Sequence, residues 1–155
     1  MATVFDVVNY FLAKTEVDAE ERMTHLKAQK LVFYAQGFSL AILDEPLFNT
    51  SIEAWKHGPV CRALWNNYRD YGSNPIDTVP ANDEEARIAI QKASTPFTLR
   101  QRELLDDIYD TFGQFSAWRL RELSHETPCW QDAYPDGTIT HDAMKSFFKT
   151  QVSAN

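Results

Sequence analysis

Two histidine–cysteine pairs share one spacing, His57-x-x-x-Cys61 and His125-x-x-x-Cys129. Together they hold the two imidazoles and two thiolates that a tetrahedral zinc site takes. That spacing aligns ligands only along a continuous helix, and Pro59 and Pro128 set each histidine at or before a helix start. A short Cys-x-x-Cys knuckle is also missing. The expectation is therefore two buried, inert cysteines, no bound zinc and no cofactor. A cysteine–histidine nucleophile would need the same residues in contact and a third group to orient them. Asp132-x-x-x-Asp136-Gly137 resembles the middle of a calcium loop, but Tyr134 and Ala143 occupy ligand positions. A Pro-Asp-Gly turn before a helix cap accounts for it. No phosphate loop, dinucleotide fingerprint, serine elbow or His-Glu-x-x-His is present. The paired carboxylates Asp106 and Asp107 read as a solvated helix face, so the chemistry points away from an enzyme.

The unusual segment is Glu53-Ala-Trp55-Lys56-His57-Gly58-Pro59-Val60. Gly58-Pro59 predicts a helix opening with proline in its favoured first position. Trp55, Lys56 and His57 would then lead into free backbone N–H groups, a cradle for an anion or a carboxylate. The other reading is a plain turn whose tryptophan belongs to the core. Lys30 and Gln36 interrupt an otherwise apolar stretch; such residues either snorkel outward or satisfy buried polar groups.

Helical periodicity supplies the elements that position these residues. Thr3, with Asp6 three residues on, caps a first helix carrying Val4, Val7, Val8, Phe11 and Leu12 on one face. The acidic run from Glu16 to Glu21 reads as a loop or exposed turn. Thr24 caps a long second helix reaching about Leu43, apolar nearly all round in its later half and therefore central. Asp44-Glu45-Pro46 stops it. Leu47 to Lys56 is either extended or a short turn. The helix after Gly58-Pro59 carries Val60, Leu64, Tyr68 and Tyr71 and ends at Gly72. A proline-containing connector covers 73–97, with room for a helix from Asp83 to Ala93 behind Asn82. Thr98 to Phe112, a short helix capped by Ser116, a turn at Pro128 and a last helix capped by Thr140 complete the chain. The fold class is mainly α, a single helical domain over 1–155 with six or seven helices and room for a small β-hairpin. Phe33, Leu40, Leu64, Leu105 and Phe148 are its expected core.

Composition agrees: 155 residues, 44% hydrophobic and 24% charged, suit one globular domain. Fifteen basic against 22 acidic residues leave a net charge of −7, which repels a phosphate backbone and makes nucleic acid a poor main ligand. A basic partner is the easier match. Two cysteines are too few for a secreted disulfide scaffold, and neither a signal peptide nor a membrane-length apolar run is visible. A cytoplasmic location is expected, with no membrane partner.

Three linked stretches carry a resemblance: Leu26-Lys-Ala-Gln29-Lys30-Leu-Val-Phe-Tyr34-Ala-Gln36-Gly37, then Glu53 to Val60, then Tyr71-Gly72 with Pro75-Ile76. With Leu123-Ser-His125-Glu-Thr-Pro128-Cys-Trp130-Gln-Asp-Ala133, they resemble the Panacea domain, the family of SocA-like and phage-associated GepA-like proteins. The resemblance covers nearly the whole chain. It implies a helical fold, no catalytic residues, and an antitoxin that neutralises a cognate toxin, encoded by the adjacent gene, through direct protein contact. One branch of the family is instead a proteolytic adaptor delivering its toxin to an AAA+ protease. The family is usually aliphatic where Cys61 stands and not normally cysteine at Cys129, which weakens the zinc and thiol readings further. A phage or mobile-element interaction module without a toxin would carry the same sequence. The expected partner-binding residues are Lys30, Gln36, Trp55, Lys56 and His57.

Overall fold

The computed structural model describes residues 1–17, 22–77 and 80–152. Helix α1, Val4–Val17, starts behind the reciprocal Thr3–Asp6 box, each backbone N–H bonded to the other's side chain. Glu16 thus lies inside a helix rather than a loop; the rest of the expected acidic loop, residues 18–21, lies outside the described residues. Helix α2, His25–Ile42, is capped by Thr24, whose hydroxyl accepts from Lys27 N. It ends where Asp44 turns left-handed (φ 59°) ahead of Pro46.

Helix α2 is the axis of the molecule, and nearly every residue from His25 to Leu40 is buried. Against it pack α5 (Leu99–Phe112), α6 (Ala117–His125) and α8 (His141–Gln151). Phe33, Leu40, Leu64, Leu105 and Phe148 are all at most 5% exposed, as their inward faces predict. Phe33, Tyr34, Phe38 and Phe148 form a net of edge-on rings, and Tyr34 stacks flat on Phe112 at 4.4 Å. Gly37 is what admits the Phe148 ring, since a Cβ there would overlap it. Helix α4, Asp83–Ser94, starts behind Asn82 as expected and lies along α1. Eight α-helices are present among the described residues, one or two more than the sequence suggests: the helix expected after Gly58-Pro59 is the shorter α3 (Arg62–Tyr68), and the turn expected at Pro128 is a short helix, α7 (Pro128–Ala133).

The main departure is at Gly58-Pro59. No helix begins there. Gly58–Cys61 is strand β2, antiparallel to β1 (Ile52–Trp55), and α3 starts only at Arg62. Lys56 and His57 make the hairpin turn, and Gly58 at φ +110° takes the step that β-carbon-bearing residues avoid. Proline is tolerated because β2 is an edge strand in the order β2-β1-β3, with β3 at Thr138–Ile139. The Pro-Asp-Gly turn feeds that third strand: Ala54 N donates to Gly137 O at 2.8 Å, and Asp136 N donates to Ala54 O at 2.7 Å.

Candidate functional site

The register explains which polar groups gather behind the hairpin. Ala54 uses its backbone groups toward β3, so its partner Pro59 directs its carbonyl outward, away from β1. That outer edge would be left unsatisfied, and α2 covers it. Lys30 Nζ donates to Pro59 O at 3.2 Å, which suits a residue with a carbonyl and no N–H. One position earlier on α2, the Gln29 amide accepts from Cys61 N at 2.8 Å and donates to Cys61 O at 3.2 Å. Two helical turns on, Gln36 treats the next extended segment alike, accepting from Leu47 N and donating to Phe48 O, both at 2.8 Å. Helix α2 thus supplies side-chain amides and an ammonium where a further strand would supply backbone.

This corrects one expectation. Lys30 and Gln36 are wholly buried, each with no exposed surface, and their polar atoms are spent on backbone partners. They satisfy buried groups rather than snorkel, so neither offers a partner a surface. The anion cradle disappears with the helix start that would have made it.

Trp55, Lys56 and His57 stay together at the hairpin tip. Trp130 Nε1 donates to Trp55 O at 3.1 Å, and Arg121 Nε donates to His57 Nδ1 at 3.2 Å. Trp55 meets Trp65 edge to face at 5.5 Å, and Trp65 in turn lies 5.4 Å from the His25 ring. Glu53 grips the Arg62 guanidinium with both oxygens at 3.0 Å, and that pairing holds its carboxyl below the usual range. Lys56 is exposed and forms no ion pair among the described residues. The tip is therefore fixed from behind by α2, α6 and α7 while its outer face is open.

Basic groups crowd together here, and the crowding disfavours their charged forms. Burial pushes the Lys30 ammonium down to about 7, and the Arg121 charge adds to the effect. Burial first, then Arg121, likewise lowers His57 and His125, with Lys30 contributing to both. His125 stacks on Trp130 at 4.2 Å, and its buried Nε2 has no hydrogen-bond partner among the described residues. Cys61 and Cys129 are buried free thiols whose ionisation burial disfavours. No three of the four zinc candidates come together, and the described residues hold no other cluster of three or more acidic, histidine or cysteine side chains placed for a metal. Trp65, Arg121 and Trp130 escaped the sequence reading because their link to the tip spans up to 75 residues and leaves no local pattern.

A family model described as "Antitoxin SocA-like, Panacea domain" matches residues 28–131. The chain belongs to that family. The Panacea match takes in α2 from its first turn, the whole hairpin, α6 and the start of α7 with Trp130. Neither the curated proteins nor the solved structures give a match to this chain. No helix of the described residues is long and apolar enough to cross a membrane.

Proposed function

We propose that this Panacea protein is a non-enzymatic, cytoplasmic antitoxin that neutralises a cognate protein toxin by binding it directly. The observation that carries the reading is the family match over residues 28–131. The hairpin supports it: a braced tip presenting Trp55, Lys56 and His57 outward is a preorganised contact surface, which spares a complex the cost of ordering a loop. The toxin is the product of the adjacent gene. The protein works by occupying the toxin's surface, and the contact runs through the tip rather than through Lys30 or Gln36.

The test is growth rescue. The neighbouring gene is induced alone and with this chain, followed by pull-down of the tagged protein. Rescue with a recovered complex and unchanged toxin abundance is expected. Toxin that vanishes only when an AAA+ protease is present would replace neutralisation by delivery. A wild-type chain that is soluble and folded yet rescues no adjacent toxic gene would sink the antitoxin reading and leave an interaction module.

A further inference from the structure

Beside the hairpin tip lies a cleft of about 330 Å³, between β1–β2, the start of α2 and the end of α3. Its walls are Leu26, Trp55, Val60 and Trp65. Trp65 is 38% exposed, a large ring left partly in water at the mouth of this cleft. Among the described residues no carboxylate lines the cleft; the charged lining groups there are Lys56 and Arg69, neither of them ion-paired. Behind the tip sit Arg121 and the buried Lys30, and the nearby Glu53 is already held by Arg62. On a molecule of net charge −7, this apolar cleft is thus flanked by two exposed cations, Lys56 and Arg69.

We propose that this cleft receives a protein segment in which a bulky apolar side chain is flanked by acidic residues. The proposal rests on the protein-binding reading above and deepens it by naming what the partner presents. The apolar side chain displaces water from Trp55, Trp65 and Val60, and the flanking carboxylates meet Lys56 and Arg69. A lysine-flanked segment would meet the same cations and be repelled. The overall acidity of the chain pointed to a basic partner; the local field at the cleft selects an acidic segment. A nucleic-acid strand fits less well. Trp55 and Trp65 cross at 66° rather than leave two parallel faces for a base, and the net charge opposes a polyanion.

The test needs no toxin. Synthetic peptides with a central phenylalanine or alanine, flanked by aspartate, serine or lysine, are titrated into the full-length labelled protein. The indole N–H signals of its four tryptophans report position. The aspartate-flanked phenylalanine peptide should move the Trp55 and Trp65 signals saturably and leave Trp118 in place. It should bind roughly three- to tenfold tighter than its serine counterpart at low salt, the gap closing as salt rises. A Lys56→Glu, Arg69→Glu double variant, both sites being on the surface, should fold normally and prefer the lysine-flanked peptide. No movement of Trp55 and Trp65 with any peptide up to millimolar concentration overturns the proposal. So does equal binding of the lysine-flanked peptide, or a stronger response to oligothymidylate. Growth rescue is read separately: peptide binding without rescue by the wild type keeps the cleft and removes the antitoxin reading.

Discussion

Gly58 and Lys30 touch, and each limits what the other can be. A Cβ at Gly58 would stand 2.6 Å from Lys30 Cε and 2.8 Å from Ser124 Oγ, on a backbone at φ +110°. Gly72 also has positive φ, 58°, but nothing lies within 4 Å of its would-be Cβ. Gly72→Ala should therefore cost only the backbone strain, about 1–3 kcal/mol. Gly58→Ala adds overpacking and should cost about 2–3 kcal/mol more in denaturant unfolding. Equal losses would show that the contact with Lys30 is not tight. Lys30 itself makes stability depend on pH. Burial moves its pKa from 10.5 to about 7, so between those values the unfolded chain binds the extra proton. The folded state is penalised fully below about 7, and the penalty is relieved as pH rises toward 10.5. Measured against Lys30→Met, the wild type should gain by up to about 1.4 kcal/mol per pH unit across that window. A flat difference from pH 6 to 10 would mean that the ammonium is not paying a burial penalty.

At the scale of the element, α2 is decided by its polar residues as much as by its apolar ones. Gln36→Leu keeps the helix former and the apolar face, yet strands the Leu47 N–H and Phe48 C=O inside the protein. It should cost about 2–4 kcal/mol. A variant as stable as the parent would show that water reaches those groups. The helices were legible from sequence because their signals are local: caps at Thr3, Thr24, Asn82, Thr98, Ser116 and Thr140 all form, and all sit beside periodic apolar faces. The hairpin was not, because Gly58-Pro59 is locally a good helix start, and only pairing with β1 and cover from α2 make it a strand. The site was half legible for the same reason. Trp55, Lys56 and His57 are adjacent in the chain and stay adjacent in space. Lys30 and Gln36 were found as polar residues in an apolar run, but the same pattern fits outward snorkelling, and only the backbone groups facing them choose between the two.

Across the whole molecule the charge is uneven, and the unevenness separates long-range steering from contact. The acidic first turn of α4, Asp83, Glu84 and Glu85, is exposed on a helix packed against α1, an element that does not line the cleft. Lys56 is exposed on the cleft itself. Lys56→Glu and Glu84→Lys change net charge by equal and opposite amounts; the first should alter stability by less than about 0.5 kcal/mol, and the second, which sets a cation in the first turn of α4 beside Arg87, should cost up to about 1 kcal/mol without unfolding the protein. Against the cognate toxin, net charge alone would shift the two association rates in opposite directions and leave dissociation alone, an effect that fades within a Debye length of about 8 Å at physiological salt. Contact at the tip predicts something else. Lys56→Glu should also raise the dissociation rate, by roughly fivefold for a rim ion pair worth about 1 kcal/mol, while Glu84→Lys should leave that rate unchanged. Rapid-mixing association and surface-based dissociation measurements at low and high salt read the two effects apart. If Lys56→Glu alters only the association rate, the tip lies outside the interface and the toxin is held by another face of the protein.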